Sequence, residues 1–216
     1  MTLHRCSQIG SLARRALFAA MLGVLAACSL TRPATVKQTY LLQAQPPAQA
    51  ASTPRPGTLK VGTIAVAVQF RGKGLVYRET DLKYEADFYN EFFVAPSAML
   101  TESAGAWLAA ARVFDDVLPS SANANGDYVL EGFVSQLYGD YRDAAKPAAV
   151  LSAKFFLIDN RSVSGVPVWQ TELTQTVALA DRGPDQLAAA LSSAWAAILN
   201  DLARQLAAAQ LPAKQP

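Results

Sequence analysis

The sequence predicts an α+β fold: an antiparallel β-sheet with one face covered, and two main helices. Two observations carry this. Three neighbouring segments, 128–138, 150–158 and 168–179, alternate apolar and polar residues with a period of two. That is the pattern of antiparallel strands that bury one face. Two other segments, opening at Pro96 and at Gly183-Pro184, repeat apolar residues at helical spacing.

In chain order, the first element is not part of that fold. Arg5, Arg14 and Arg15 make the N-terminus positive, and no acidic residue precedes Glu79. An apolar run from Ala16 to Ala26 follows, then Ala27 and Cys28. This is the plan of a secretory signal. The run is about half the ~20 residues a membrane-spanning helix needs. Leu25-Ala26-Ala27-Cys28 resembles the lipobox of bacterial lipoproteins. The resemblance implies cleavage before Cys28, a thioether to diacylglycerol at its thiol, and a further acyl chain on the freed amine. Two or more chains anchor stably where one, at about 0.8 kcal/mol per buried CH₂, anchors marginally. In such lipoproteins an Asp after the cysteine tends to retain the protein in the inner membrane. Ser29 therefore points to the outer membrane, with the domain facing the periplasm. The alternative is an ordinary secreted protein cut elsewhere, with Cys28 incidental.

Removing the signal changes the chemistry available. It takes away three of 19 basic residues and none of 17 acidic ones, leaving a net charge of −1. A basic nucleic-acid surface is not supported. The single His, His4, and Cys6 leave with the signal, and Cys28 is the lipidated residue. The mature chain then has no histidine and no free thiol. That excludes Ser-His-Asp and Cys-His nucleophilic sites and the usual His/Cys zinc sites. It also excludes an internal disulfide, so core packing must carry stability.

Residues 28–58 are expected to hold a lipid-anchored tether, a short strand near 38–43, and a Pro/Ala-rich loop at 44–57. Residues 59–211 are expected to form one α+β domain that includes that short strand. Residues 59–70 read as a strand, with Ile64, Val66, Val68 and Phe70 on one face and Val61 on the other. Arg71 to Gly74 is the turn to a strand opening at Leu75, so a hairpin-like pairing is expected. An aromatic-rich stretch follows, with Tyr84, Phe88, Tyr89, Phe92 and Phe93. Pro96 suits a first helical turn, where its missing N–H is no loss. Leu100, Ala104, Trp107, Leu108 and Ala111 continue that helix to about Arg112. Residues 113–118 read as a connector and 120–127 as a polar turn. After the three alternating segments, Leu187, Leu191, Trp195, Ile198, Leu202 and Leu206 form one continuous helical stripe that Pro212 ends.

Arg71-Gly72-Lys73-Gly74 lacks the Walker pattern and does not enter a helix, so it reads as a turn. Asp115-Asp116 and the set Glu85, Asp87 and Glu91 read as solvated surface carboxylates, since no partner spacing makes them a catalytic or metal site. Trp107 and Trp195 lie on apolar stripes and read as core. Tyr84, Phe88, Tyr89, Phe92 and Phe93 are the candidate partner surface, because exposed aromatic patches mark interfaces; packing within the sheet is the competing reading.

The order of segments resembles the auxiliary lipoproteins of ABC-type transport systems, of the PqiC type. The resemblance runs from the lipobox through Tyr40-Leu41-Leu42 and Leu75-Val76-Tyr77-Arg78 to Tyr84, Phe88-Tyr89 and Ala95-Pro96. Leu130-Glu131-Gly132-Phe133, a long hairpin through Trp169 and the Ala/Leu-rich last helix complete it. Phe92 or Phe93 stands where that family usually has Trp, and residues 81–91 are more acidic than usual. The resemblance implies an antiparallel sheet with two main helices packed on it, no catalytic residue and no cofactor; no metal site is expected, from the residue types above. It also implies a membrane-anchored periplasmic accessory role in an ABC/MCE-type system for lipids or other hydrophobic compounds. Its partners would be an MCE-domain protein and an ABC permease and ATPase. Homo-oligomerisation is left open. The alternative function is a structural lipoprotein of envelope assembly without a transporter.

Overall fold

The computed structural model describes residues 36–46, 53–162 and 165–211. Cys28 and Ser29 lie outside them. Residues Lys37–Pro216 form one unit, separate from Met1–Val36. The described residues of the larger unit run β1 (Gln38–Tyr40), β2 (Arg55–Val66), a 3-10 turn (Val68–Phe70), β3 (Gly74–Arg78), β4 (Tyr84–Phe92), α1 (Pro96–Ala110), β5 (Phe114–Leu118), β6 (Tyr128–Asp140), β7 (Ala148–Asp159), β8 (Pro167–Ala178) and α2 (Pro184–Ala208).

The α+β class is as the sequence predicts, and the sheet is mixed. β6, β7 and β8 form an antiparallel meander, with Tyr128 opposite Asp159 and Ala148 opposite Ala178. β3 and β4 are also antiparallel. The other pairs are parallel: β2 with β5 and β6, β3 with β6, and β1 with β4. Parallel neighbours need a crossover, and α1 lies in the crossover between β2 and β5.

The expected β2–β3 hairpin does not form. Both strands lie on the same edge of β6, β2 beside Tyr128 to Val134 and β3 beside Gly139 and Asp140. The Ala67 N–H donates to the Val134 carbonyl at 2.9 Å, and Phe70 buries its ring on Tyr138. The chain steps over the 3-10 turn and resumes in the same direction: β2 pairs with β6 from Leu59 to Val66, while β3 meets β6 only at Tyr77 and Arg78 and takes its antiparallel partner from β4. Val68, placed on the buried face by period two, is exposed in that turn. A register shift between Val61 and Ile64 buries both, although the alternation puts them on opposite faces.

α1 opens at Pro96 and is pinned to β2 at one residue. Ser97 Oγ donates to the Ile64 carbonyl at 2.6 Å, and Thr101 Oγ1 accepts from the Ile64 N–H at 2.9 Å. It stops at Ala110, with Arg112 at φ +49° turning the chain into β5. Residues 114–118, expected as connector, are therefore a strand. α2 buries its whole predicted stripe, Leu187 to Leu206. Each such side chain contributes about 1.5–3 kcal/mol. Trp195 stacks near Phe155 at 6.2 Å and donates its Nε1 proton to Ser103 Oγ at 2.8 Å, which joins the two helices. No helix among the described residues is long and apolar enough to cross a membrane.

Candidate functional site

The aromatic stretch lies on β4, at the end of the sheet that β1 closes. The ladder between β3 and β4 is broken there. Gly74 faces Glu91 while Val76 faces Ala86, so Leu75 alone spans the four residues Asp87 to Asn90. Those four arch out of the ladder as a wide bulge. A bulge re-aims side chains that a regular strand would leave on the sheet face.

One carboxylate holds the arch. Asp87 Oδ1 accepts from the N–H groups of Tyr89 (2.8 Å) and Asn90 (2.9 Å). Asp87 Oδ2 accepts from Tyr77 Oη (2.7 Å) and Asn90 Nδ2 (2.9 Å). Burial raises the pKa of this carboxyl, but the four donors outweigh it and hold the group below its ordinary value. The arch also needs room. A Cβ on Gly74 would sit 2.6 Å from the Asp87 carbonyl oxygen, so only glycine permits this approach. In the sequence alone Asp87 reads as a solvated carboxylate and Gly74 as a turn residue. The one available signal was Asp87 followed by Asn90, the short polar spacing of an Asx-turn.

The bulge thrusts Phe88 and Tyr89 outward, their rings edge to face at 5.2 Å. Phe88 is 68% exposed. Lys37 Nζ stands 4.6 Å from the centre of its ring and 3.1 Å from Glu91, which Lys73 also approaches at 3.7 Å. Hydrogen bonding to Lys37 foremost, and the charge of both lysines, lower the Glu91 pKa. Beyond the strand, Phe93 donates its N–H to the Tyr40 carbonyl at 2.8 Å and leaves its side chain 60% exposed. Val94 and Leu41 are exposed beside it. Leu41 also lines an open groove of about 350 Å³ with Leu42, Ala44, Pro46, Met99 and Ala106.

Two of the five candidate surface residues stand apart. Phe92 is a core residue, 2% exposed, and leaves the candidate surface. It resumes the regular ladder opposite Tyr40, which returns its side chain to the interior. Tyr84 is half exposed, but its ring contacts Phe70 and Tyr138, and the guanidinium of Arg78 lies 5.5 Å from its centre. Phe88, Tyr89 and Phe93 remain as the outward group. Among the described residues, no three His, Cys, Asp or Glu side chains are placed to hold a metal ion.

The sequence from residue 40 to 203 matches the family described as ABC-type transport auxiliary lipoprotein component. The chain belongs to this family. The match runs from Tyr40, the last residue of β1, through most of α2, so it contains the bulge, β2 to β8 and α1. No curated protein matches the sequence. Among solved structures, a protein from Xanthomonas campestris superposes with a TM-score of 0.65 at 18% identity, covering 79% of this chain and 95% of that one. A protein of undescribed function superposes at 0.63 with 20% identity, over 79% and 99% of the two chains. A minor lipoprotein from Acinetobacter baumannii aligns at 0.44 with 14% identity, over 72% and 95%. At such identities the likeness to the first two establishes the fold. Membership makes the protein an auxiliary lipoprotein component, a family not defined by an enzymatic activity.

Proposed function

We propose that the protein is a membrane-anchored periplasmic accessory lipoprotein of an ABC/MCE-type transport system for lipids or other hydrophobic compounds. The family match over residues 40–203 carries this reading. Cys28 is the acylated residue, and Ser29 directs the protein to the outer membrane. The anchor fixes where the domain works, and the domain docks an MCE-domain protein and, through it, the permease and ATPase. With a mature net charge near zero, docking relies on apolar and backbone contacts. The exposed aromatics of β4 are its contact surface with the world outside the chain.

The test is recovery of the native lipoprotein from membranes, with identification of what comes with it. An MCE-domain protein or permease is the expected companion. Recovery of cell-wall or secretion components alone would replace this reading with a structural envelope role. Cys28→Ser is expected to leave the precursor uncleaved or free the protein from membranes. Unchanged processing and fractionation of that variant would remove the anchor from the account.

A further inference from the structure

We infer that the β1 end of the aromatic strip, Leu41, Phe88, Tyr89, Phe93 and Val94, rests on the phospholipid surface that holds the anchor. This rests on the proposal that Cys28 is acylated.

The first argument is length of chain. Nine residue steps lead from Cys28 to Lys37, the residue before β1. At 3.3–3.6 Å per residue they reach at most about 30 Å. The chain therefore enters the folded unit at β1, beside Asn90, Glu91 and Phe92. Of the folded unit, this corner is the part that the tether holds within that distance of the anchor.

The second is the chemistry of the corner. Phe88, Phe93, Leu41 and Val94 are apolar and exposed. Tyr89 adds an amphipathic ring of the kind enriched at membrane–water interfaces. Lys37 and Lys73 flank them, both on Glu91, and place two ammonium groups beside the patch within reach of lipid phosphates. The Asp87 carboxylate keeps its negative charge, since its four donors are all neutral, so with Glu91 the lysines of this corner are balanced and the apolar side chains carry the contact.

The third is that the fold spends structure on this exposure. A regular strand would have kept Phe88 and Tyr89 in the ladder. The Asp87 clasp and the Gly74 approach hold both side chains out. By contrast Leu82, 95% exposed at the β3–β4 turn, stands among Asp81, Lys83 and Glu85 without an aromatic neighbour in sequence before Tyr84.

The mature acylated protein allows a direct test, because Cys28 carries the lipid and no other cysteine remains. Phe88→Cys and Phe93→Cys, each labelled with a polarity-sensitive fluorophore, are compared with Leu82→Cys. Each is reconstituted into phosphatidylethanolamine/phosphatidylglycerol vesicles containing a nitroxide-labelled lipid. All three positions are exposed, so the folded state is retained, and circular dichroism verifies it. The patch probes should shift to the blue and be quenched at least about threefold more than the Leu82 probe. Equal quenching at all three sites, or none at the patch in vesicles that carry the protein, overturns the inference. A patch probe blind to lipid but shielded by a co-reconstituted transport partner overturns it too, and hands the surface to protein. Flotation separates the two levels: protein that fails to float with the vesicles defeats the anchor reading and this inference with it.

Discussion

Replacing Asp87 by Ala removes the acceptor on which four donors converge. The two backbone donors, on Tyr89 and Asn90, lie in an outward arch where water can take them, so their loss costs a few tenths of a kcal/mol. Tyr77 is different. Its side chain is half-buried, stacked on Tyr141 at 5.2 Å, and burial together with the Asp87 contact pushes its pKa far up. Leaving that hydroxyl without an acceptor costs about 1–3 kcal/mol. The sum is about 2 kcal/mol, or roughly 4–8 °C in Tm for a unit of this size. Guanidinium and thermal unfolding of the detergent-solubilised protein, followed by circular dichroism, would measure it. Because the loss comes mainly from the orphaned phenol, Tyr77→Phe should be largely redundant with Asp87→Ala. The double variant should then fall short of the summed single effects by about 1 kcal/mol. An Asp87→Ala protein within about 0.5 kcal/mol of wild type, or strict additivity with Tyr77→Phe, would refute the clasp.

The same carboxylate gives a pH dependence of definite sign. Its native pKa is lowered, so its contribution is fully present above the ordinary value of 3.8 and is lost as pH falls through the native value. The stability gap between wild type and Asp87→Asn, measured by denaturant midpoints, should therefore close as the solution is taken below pH 3.8. Gly74→Ala should cost about 1–3 kcal/mol, since the new Cβ meets backbone that cannot yield without opening the bulge. Faster hydrogen exchange at Tyr89 and Asn90 would locate that damage. Ser103→Ala strands the Trp195 Nε1 proton in the core, for a loss of about 1–3 kcal/mol; Trp195 is fully buried, so its emission should report the changed surroundings.

Both helices and the meander of β6, β7 and β8 were legible in the sequence because each repeats its pattern over ten or more residues. β5 was not. It has five residues, and Asp115 and Asp116 break its alternation, so it is a strand only because β2 offers it an edge. The candidate site was half legible. Aromatic density marked β4, but composition could not separate Phe92, which returns to the ladder, from Phe93, which leaves it. Nor could it show that Asp87 and Gly74 make the arch, since their partners Tyr77 and Asp87 lie ten and thirteen residues away on another strand.

By itself the sequence determined the α+β class, the two helices with their buried stripes, and the absence of any histidine or cysteine after Cys28. Those follow from local periodicity and residue type, which need no partner to be read. Only the tertiary structure decided the direction of strand pairing, the step of the chain from β2 to β3 along one edge of β6, and the outward turn of Phe88 and Tyr89. A strand's side-chain period is the same whether its neighbour runs parallel or antiparallel. A bulge depends on which residues on a second strand come within hydrogen-bonding reach, and period two does not encode that distance.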